Sequence, residues 1–353
     1  MSQTPPITSR VLITGVAGFV GYHLAQRLLS AGHYVLGVDN FSDYYDPALK
    51  RARVDQLKRC ERFEFETLDI ADMGRLSKTW ELFKPNIAIH LAAQAGVRNS
   101  IDNPRDYVNA NIVGSFNVFE TARTFPVDHL LIASSSSVYG ANQSMPFQET
   151  DAVATPQSLY AASKASTELI GHSYAHLYGT PMTFFRFFTV YGPWGRPDMA
   201  YFKFVKSILE DRPIDVYNYG RNSRDFTYID DLVQAVELLI DVIPGRGPAV
   251  IGDSLSPIAP HRVVNIGQAD PVGLMDFISG IERALGRSAE LNMLPPQPGD
   301  VEVTFASSQL LHSLTGFRPN TPLATGVKQF TEWYHRYVRK DGTYRISDEE
   351  SVV

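Results

Sequence analysis

Short apolar runs alternate with longer segments of helical periodicity through the first half of the chain. The short runs are rich in strand-forming residues and predict strands over residues 10–14, 34–38, 63–68, 87–91 and 130–133. Segments between them, such as residues 23–29 and 111–120, carry apolar residues at helical spacing. This alternation predicts an α/β fold with a Rossmann-like, doubly wound parallel sheet.

A glycine-rich turn joins the first predicted strand to the first predicted helix. Gly15, Gly18 and Gly21 follow the spacing Gly-x-x-Gly-x-x-Gly, whereas the commoner dinucleotide fingerprint is Gly-x-Gly-x-x-Gly. A strand, a glycine turn and a helix in this order direct free backbone N–H groups at a phosphate. The alternative is a glycine turn without function.

The second predicted strand weighs against that alternative, because it ends at an acid. Asp39 lies 24 residues after Gly15, near the offset at which an acid accepts hydrogen bonds from the adenosine ribose of a dinucleotide. A carboxylate there would repel a 2′-phosphate, so the sequence favours NAD over NADP.

The residues that follow the predicted strands should meet at one edge of the sheet. Ligands of such sheets bind beyond the carboxyl ends of the strands. The strands end at or just before Gly15, Asp39, Asp69, Ala92 and Ser135. The predicted cofactor-binding residues are Gly15, Gly18, Phe19, Val20, Gly21, Asp39, Asn40, Asp69, Ile70, Leu91, Ala92, Ala93, Gln94, Tyr160 and Lys164.

Ser135, Tyr160 and Lys164 are the candidate catalytic residues. Tyr160 and Lys164 are four apart on a predicted helix and so share one face. An ammonium beside a phenol favours the phenolate and lowers the pKa of the phenol from about 10, so that it can exchange protons with an alcohol. Taken alone, the pair is more typical of a surface contact. We interpret it as catalytic because the strand ends predicted to bind the cofactor accompany it in the sequence.

The second half of the chain is richer in loops and aromatic residues. We predict an NAD-binding domain over residues 1–190 and a smaller C-terminal α/β substrate domain over residues 191–340, followed by a flexible tail over residues 341–353. The chain is expected to return to the main sheet near residues 225–240 and 263–268.

Composition and charge exclude several function classes. The net charge of −6 argues against general nucleic-acid binding. The single cysteine, Cys60, excludes a disulfide framework and suits a reducing compartment. No apolar run approaches the length of a membrane span. We therefore expect a cytoplasmic protein that binds neither nucleic acid nor a membrane.

A histidine and a pair of aspartates are interpreted as structural residues rather than as functional ones. His90 at a strand end is interpreted as a packed or hydrogen-bonded core histidine, without a catalytic role. Asp230 and Asp231 precede a helical run and are interpreted as helix N-cap and first-turn acids rather than a metal site. We therefore expect no metal.

These motifs together resemble those of the extended short-chain dehydrogenases/reductases, and among them the nucleotide-sugar epimerases and dehydratases. The shared features are the glycine spacing, Asp69-Ile70, residues 90–93, the serine run at 134–137 before Val138-Tyr139-Gly140, and Tyr160-x-x-x-Lys164. Residues 191–200, together with residues 44–47, are similar to the UDP-glucuronate 4-epimerases in particular. The resemblance covers nearly the whole chain.

The resemblance implies a reaction and roles for the candidate residues. Tyr160 would take the proton of the sugar 4-hydroxyl, Ser135 would bind the same oxygen, and Lys164 would hold the nicotinamide ribose. NAD would accept a hydride from carbon 4 and return it to the other face of a 4-keto sugar. UDP-glucuronate would become UDP-galacturonate for polysaccharide biosynthesis, and the enzyme would be a homodimer formed through a helical bundle that includes the Tyr160 helix.

The resemblance also supplies candidate substrate-binding residues, which are Ser135, Ser136, Ser137, Thr189, Arg196, Arg224 and Asp300. Related 4,6-dehydratases carry Asp-Glu at the positions of Ser136 and Ser137. Serine hydroxyls cannot do that acid–base work near pH 7, but with Thr189 they can donate to a uronate carboxylate.

Arg224 resembles a diphosphate-binding arginine, and Asp300 resembles an acid that meets the uridine ribose. Many relatives carry an arginine where this chain has Gln297. The alternative for Arg224 and Asp300 is a surface ion pair or loop anchor, and for Ser136 a loop that satisfies its own backbone.

Two rival functions stay open. The first is epimerisation of UDP-glucose, UDP-galactose or their N-acetyl derivatives, and a carboxylate site predicts poor activity on these neutral sugars. The second is a non-catalytic NAD-responsive binding protein. The intact set of Ser135, Tyr160 and Lys164 counts against it, because a sensor needs no catalytic base.

Overall fold

A parallel sheet forms the centre of the molecule. The computed structural model describes residues 9–296 and 302–338. The strands in this part of the chain are β1 Arg10–Thr14, β2 Tyr34–Asp39, β3 Phe63–Thr67, β4 Ile87–His90, β5 His129–Ser135, β6 Met182–Phe187, β7 Thr189–Tyr191, β8 Ile214–Val216, β9 Ser223–Tyr228, β10 His261–Ile266, β11 Pro271–Gly273, β12 Leu291–Met293 and β13 Val303–Thr304. Seven of them form the main sheet, in the order β10-β6-β5-β4-β1-β2-β3.

Helices connect these strands. Those of the described residues are α1 Phe19–Ser30, α2 Pro47–Leu57, α3 Met73–Phe83, α4 Asn99–Asp102, α5 Pro104–Tyr107, α6 Ser115–Thr124, α7 Leu159–Tyr178, α8 Ala200–Leu209, α9 Ile229–Ile240, α10 Leu274–Leu285, α11 Gln309–Thr315 and α12 Leu323–Tyr337. A π-helix spans Val108–Gly114, and short 3-10 turns span Ser136–Tyr139 and Tyr217–Gly220. Within this part of the chain, no helix is both long and apolar enough to cross a lipid bilayer.

The main sheet is doubly wound around β1. Its neighbouring strands all pair in parallel. β4 and β5 are buried at every residue, which accounts for the apolar runs over residues 87–89 and 130–133. β1 pairs with β2 on one side and with β4 on the other. The order therefore reverses at β1 and leaves a crevice beyond its carboxyl end. The predicted α/β fold with a parallel sheet is confirmed.

Two smaller sheets lie in the second half of the chain. β7, β9, β11 and β13 form one of them, and β8 pairs with β12 in the other. The chain also returns to the main sheet, because β10 pairs with β6 at its edge and α9 contacts α1.

One apolar core joins the main sheet to the second half of the chain. The Trp194 ring, in the loop after β7, lies 5.4 Å from the ring of Tyr22 on α1. It lies 5.4 Å from Trp333 and 5.0 Å from Tyr337, both on α12. Buried apolar side chains continue from α1 through α9 to α12. The loop that carries Trp194 is therefore held by both parts of the molecule.

The helix predicted over residues 111–120 differs from the expectation in its first half. It is a π-helix as far as Gly114 and an α-helix beyond it. Gly114 packs so closely that a Cβ would lie 2.6 Å from the Ile70 side chain. Asn111 holds the wide turn by accepting from the Gln94 nitrogen at 2.8 Å and donating to its carbonyl at 3.0 Å.

Asp230 and Asp231 lie in the first turn of α9, as predicted, but neither of them is the N-cap residue. Tyr228, and not an aspartate, is the N-cap residue. Asp231 lies in the first turn and accepts from the backbone nitrogens of Asn320 and Thr321 at 3.0 Å and 2.8 Å. Among the residues that the structure describes, no group of three or more His, Cys, Asp or Glu side chains is placed to hold a metal ion.

Candidate functional site

The glycine turn brings the carboxyl ends of β1 and β4 into close contact. Gly15 has a φ of +73°, and a Cβ there would lie 2.7 Å from the Ala92 nitrogen. A Cβ at Gly21 would lie 2.3 Å from the Gly15 oxygen. Both positions therefore require glycine, and the bare turn lets a ligand approach the backbone.

The helix α1 starts at this turn and presents its free N–H groups. Its N-cap is Gly18, and no side chain among the described residues caps it. Phe19 and Val20 in its first turn line the groove above the sheet. Free N–H groups at a helix start form an anion site, so these residues fit the diphosphate of a dinucleotide.

Asp39 closes β2 beside the glycine turn. Its carboxylate accepts from the Ala17 nitrogen at 3.1 Å and from the Phe41 nitrogen at 2.8 Å. Carboxylate oxygens keep further lone pairs for ribose hydroxyls. Burial raises the pKa of Asp39, and the nearby Lys50 ammonium opposes that rise.

The far end of the groove is formed after β2 and β3. The Asn40 side chain donates to the Asp69 carboxylate at 3.0 Å, which joins the two strand ends. Ile70 lies beside them and lines the groove. This polar and apolar edge suits an adenine ring.

The segment after β4 forms the back of the groove. The Leu91 nitrogen donates to the Thr14 carbonyl at 3.1 Å, and the Ala92 nitrogen donates to the Thr14 hydroxyl at 3.2 Å. Ala93 and Gln94 continue along the same wall. The small side chains leave room for a flat ligand.

All of the predicted cofactor residues line this one groove. They are Gly15, Gly18, Phe19, Val20, Gly21, Asp39, Asn40, Asp69, Ile70, Leu91, Ala92, Ala93, Gln94, Tyr160 and Lys164. The strand ends converge because the strands are parallel. The loop after β2 adds Tyr44 and Tyr45, and α2 adds Lys50; the sequence analysis did not predict these three as cofactor residues.

His90 supports the groove from within the core. Its Nδ1 lies 2.7 Å from the Thr14 hydroxyl and its Nε2 lies 2.9 Å from the Ser115 hydroxyl. Burial lowers the pKa of His90 to about 3, so the ring is neutral. This is the hydrogen-bonded core histidine expected from the sequence.

The three candidate catalytic residues come together at the other end of the groove. Ser158 caps α7 by accepting from the Ala161 nitrogen at 3.1 Å, which places Tyr160 in the first turn and Lys164 in the next. Ser135 ends β5 and lines the groove with both of them. A hydroxyl, a phenol and an amine thus face one space.

The pKa of Tyr160 differs from the expectation. Burial raises it, and the hydrogen-bonding effect of Ser135 and the charge of Arg196 oppose that rise only in part. The Lys164 amine donates to the Ala133 carbonyl at 2.8 Å, and burial lowers the pKa of Lys164 to about 8. The prediction that Lys164 lowers the pKa of Tyr160 is wrong for this arrangement, because loss of solvent around the phenol dominates and the groups that oppose it are Ser135 and Arg196 rather than Lys164.

A second cavity of about 870 Å³ adjoins the groove. Four predicted substrate residues line it: Ser136, Ser137, Thr189 and Arg224. The two serines lie in the 3-10 turn after β5, and Thr189 starts β7. Arg224 donates to the carbonyls of Ser223 and Glu302 at 2.9 Å and 3.0 Å.

Further basic and aromatic residues line this cavity that were not predicted from the sequence to bind the substrate. They are Arg98, Lys203, Lys206, Arg212 and Tyr217. Lys203 and Lys206 are three apart on α8 and share a face, which is the one pattern that could have revealed them. The Arg98 guanidinium lies 5.0 Å from the centre of the Tyr217 ring. The cavity therefore favours an anionic ligand with a flat base.

Arg196 lies at the boundary between the groove and the second cavity. It forms a bidentate pair with Asp198 at 3.0 Å and 2.6 Å, and Tyr44 donates to the same carboxylate at 3.1 Å. Arg196 lines the groove, whereas Asp198 lines the second cavity and Tyr44 and Met199 line both. Asp300, the remaining predicted substrate residue, lies outside the described residues, as does Gln297.

Known proteins are similar to this chain in sequence and in fold. The NAD dependent epimerase/dehydratase family matches residues 11–252. A probable UDP-glucuronate 4-epimerase of Rhizobium meliloti is 53% identical over 338 residues, which cover 95% of this chain and 99% of that protein.

Solved structures agree with the sequence match. UDP-glucuronic acid 4-epimerase from Bacillus cereus, in complex with UDP-glucuronic acid and NAD, matches with a TM-score of 0.83 and 32% identity over 92% of this chain and 99% of that chain. UDP-glucose 4-epimerase from Thermus thermophilus, in complex with NAD, matches with a TM-score of 0.79 and 27% identity over the same shares of the two chains, 92% and 99%. The chain belongs to the NAD dependent epimerase/dehydratase family.

Proposed function

We propose that this protein converts UDP-glucuronate to UDP-galacturonate by epimerisation at carbon 4, with NAD as its cofactor. The observation that carries the proposal is the set of three neutral hydroxyls, those of Ser136, Ser137 and Thr189, in the cavity beside the candidate catalytic residues. Hydroxyls can donate to a uronate carboxylate, and they offer no acid or base for dehydration. The names of the Rhizobium meliloti and Bacillus cereus proteins support the same substrate.

The groove residues are those that would hold the cofactor. The start of α1 would hold the diphosphate, Asp39 the adenosine ribose, and Lys164 the nicotinamide ribose. When bound, NAD accepts a hydride from carbon 4 of the sugar and gives it back. The remaining chemistry is proton transfer by side chains of this chain.

Tyr160 is the general base and acid of the proposed reaction. It takes the proton of the 4-hydroxyl as the sugar is oxidised and returns a proton when the 4-hydroxyl forms again. Because burial raises the pKa of Tyr160, the phenolate needs stabilising partners. Ser135 supplies a hydroxyl to the same sugar oxygen, and the Lys164 ammonium supplies positive charge.

The charge of the second cavity suits a UDP-sugar. The basic side chains that line it are Arg98, Lys203, Lys206, Arg212 and Arg224. They make the cavity locally basic, although the whole chain has a net charge of −6. Arg224 has the fork geometry that matches a diphosphate. The uronate carboxylate would then lie at the hydroxyls, close to Tyr160.

An assay with four separate substrates tests the proposal. UDP-glucuronate, UDP-glucose, UDP-galactose and UDP-N-acetylglucosamine are each incubated with the purified enzyme, and the products are identified by proton NMR. We expect conversion of UDP-glucuronate to UDP-galacturonate and little change in the neutral sugars. Faster conversion of UDP-galactose would favour the first rival, and NAD binding without any turnover would favour the NAD-responsive binding protein.

We further propose that the protein is a homodimer that pairs through α6 and α7. Leu169 and Leu177 on α7 are 68% and 63% exposed, and Phe116 on α6 is 44% exposed. The Phe116 ring packs edge-on against Tyr174 of α7, so the two helices form one apolar face. Such a face is typical of an interface between helices.

The dimer proposal is tested by light scattering after gel filtration. Leu169→Glu should convert the dimer to a monomer, because it places a charge in the apolar face. Leu82→Glu is a control, since Leu82 is exposed on α3 and so lies outside the two helices that form that face. A monomeric parent protein would exclude the proposal.

A cytoplasmic location and a place in polysaccharide biosynthesis belong to the same proposal. The lone Cys60 suits a reducing compartment, and a UDP-uronate is an activated donor for glycosyl transfer. Cell fractionation tests the location, and recovery of the protein outside the cytoplasmic fraction would contradict it.

A further inference from the structure

A buried ion pair lies beneath the helix that carries Tyr160 and Lys164. Glu168 of α7 pairs with Arg186 of β6 through two hydrogen bonds, at 3.0 Å from Nε and 2.7 Å from Nη2. The two side chains are only 6% and 4% exposed. The proposed reaction does not use either group directly.

The pair also binds the end of β5, next to Ser135. The Ser134 hydroxyl donates to Glu168 Oε1 at 2.5 Å, and Ser134 lies opposite Arg186 in the register of β5 and β6. One carboxylate therefore joins α7 to two strands at the level of the catalytic serine. The distance between Ser135 and the Tyr160 helix depends on this contact.

Arg186 is itself fixed from the other side. It donates to the Glu149 carbonyl at 3.2 Å, and its guanidinium lies 4.7 Å from the centre of the Tyr139 ring. The Tyr139 hydroxyl in turn donates to the Asn265 side chain at 2.6 Å. Glu168 thus meets a rigid cation, and not a mobile surface arginine.

The charge of Glu168 acts on Lys164, which lies one helical turn before it. Burial lowers the pKa of Lys164, and the Glu168 carboxylate raises it. Among the described residues, the other titratable groups near Lys164 are His90 on β4, which is neutral, and Tyr160, which lines the same groove, while Arg186 on β6 lies behind Glu168. Glu168 is therefore placed to offset the loss of solvent around the amine.

Stability alone does not explain such a pair. Replacing a buried ion pair by apolar side chains is often neutral or stabilising, whereas removing one partner leaves an uncompensated charge. The Glu168 carboxylate joins three elements and lies one helical turn from the Lys164 amine. It can therefore fix the distance between Ser135 and the Tyr160 helix and favour the charged form of Lys164, and an apolar contact could not do the second.

We propose that Glu168 is a positioning residue, which with Arg186 fixes the Tyr160 helix against the ends of β5 and β6 and keeps the Lys164 side chain a cation. This inference rests on the proposed function, because a cationic Lys164 matters only if Tyr160 must form a phenolate. Glu168 acts through Lys164 and Ser135 and does not itself touch the sugar.

The test measures the pKa of Lys164 directly. Lysine labelled with carbon-13 at the ε position is titrated by NMR in the purified enzyme, and Lys164→Met assigns the resonance. Glu168→Gln keeps the size of the side chain and removes its charge, while Arg186 stays positive. We expect the pKa of Lys164 to fall by about one unit, since one nearby opposite charge is lost.

Three further variants separate charge from structure. Glu168→Gln combined with Arg186→Gln also removes the carboxylate, so the pKa of Lys164 should still lie below the parent value, by no more than in Glu168→Gln alone. Ser134→Ala removes a hydrogen bond but no charge and should leave that pKa unchanged. Arg186→Gln alone should not lower it, because it removes a positive charge. The thermal unfolding midpoint of each variant shows that it is folded.

The rate of epimerisation gives a second, independent result. In Glu168→Gln the alkaline limb of the pH–rate profile should move to lower pH, with roughly a fivefold loss of rate near the parent pKa of about 8. An unchanged or raised pKa of Lys164 in folded Glu168→Gln would overturn the inference. Absence of epimerisation by the parent enzyme would instead refute the proposed function, and the NMR titration is unaffected by that outcome.

Discussion

Tyr160 is a half-buried phenol, and the groups beside it oppose the effect of this partial burial on its pKa. Loss of solvent raises the pKa of Tyr160, while Ser135 and Arg196 lower it. The phenol is therefore protonated at rest near neutral pH. A base of this kind can act only if the sugar hydroxyl, Ser135 and Lys164 stabilise the phenolate together.

Replacing Tyr160 by Phe should abolish epimerisation without unfolding the protein. The change removes the group that transfers the proton, and general acid–base catalysis typically contributes a factor of about 10² to 10⁴ in rate. The rate is measured by NMR on UDP-glucuronate. Tyr178→Phe is the matched control, because Tyr178 ends the same helix and is exposed. Wild-type activity of Tyr160→Phe would refute the role of this residue.

Replacing Thr189 by Ala should raise the share of pentose product. The 4-keto form of a uronate is a β-keto acid, which loses carbon dioxide when its carboxylate bond is perpendicular to the carbonyl plane. A hydroxyl that holds the carboxylate keeps the bond away from that orientation, and its loss removes about 1.5 to 3 kcal/mol of interaction.

Mass spectrometry of the products measures the ratio of UDP-pentose to UDP-galacturonate. Ser207→Ala serves as the control, since Ser207 lines the same cavity from α8, on an element away from the serine turn. Identical ratios in Thr189→Ala and the parent enzyme would show that Thr189 does not orient the carboxylate.

Single residues were predictable from the sequence where their position followed from a strand end. Asp39, Asp69 and Ala92 converge on one groove because parallel strands end at one edge. The pKa of Tyr160 was not predictable, because its direction depends on burial rather than on the neighbour one turn away. The pair of Glu168 and Arg186 was also missed, since neither residue stands in a local pattern that marks its partner.

At the scale of elements, two loops cross the groove and hold each other in place. Arg53 of α2 is fully buried and donates to the Ala17 carbonyl and the Tyr45 hydroxyl, both at 2.8 Å, and to the Trp194 carbonyl at 2.5 Å. One side chain therefore joins the glycine turn, the loop after β2 and the loop after β7. Tyr44 joins the same two loops through Asp198.

Replacing Tyr44 by Phe should let NAD leave the enzyme faster. The change breaks the hydrogen bond to the Asp198 carboxylate, and a bond to a charged group contributes about 1.5 kcal/mol, or roughly a tenfold change in rate. The measurement is the cofactor that stays bound after timed dialysis. Tyr34→Phe, at an exposed site on β2, is the control. Equal retention in both variants would show that the two loops do not restrain the cofactor.

The elements with strong periodicity were predicted well. β1, β2, β3 and β4 end within one residue of their predicted ranges. The π-helix at Val108–Gly114 was not predicted, because it depends on the close approach of Ile70 and on the Asn111 side chain. The Arg53 contacts were missed for a related reason, since they join residues 141 positions apart.

At the scale of the whole molecule, one core carries both the groove and the second cavity. Trp333 lies in this core, with its ring 5.4 Å from Trp194 and 5.7 Å from Phe330. Both halves of the chain contribute to the same set of buried side chains. The loops of the site therefore depend on packing far from the chemistry.

Replacing Trp333 by Ala should destabilise the whole chain in one transition. Removal of a buried tryptophan costs about 3 to 5 kcal/mol, and a continuous core predicts a single cooperative unfolding step. Denaturant unfolding followed by fluorescence and by circular dichroism measures both quantities. Leu82→Ala at an exposed site should change stability by less than about 0.5 kcal/mol. Two separate transitions would contradict a shared core.

The origin of the hydrogen on carbon 4 tests the central claim most directly. The enzyme is incubated with UDP-glucuronate in heavy water, and the UDP-galacturonate formed is examined by proton NMR and mass spectrometry. If Tyr160 moves only the hydroxyl proton and the hydride returns to the carbon that lost it, carbon 4 keeps its original hydrogen throughout. Deuterium at carbon 4 of the product would contradict this account.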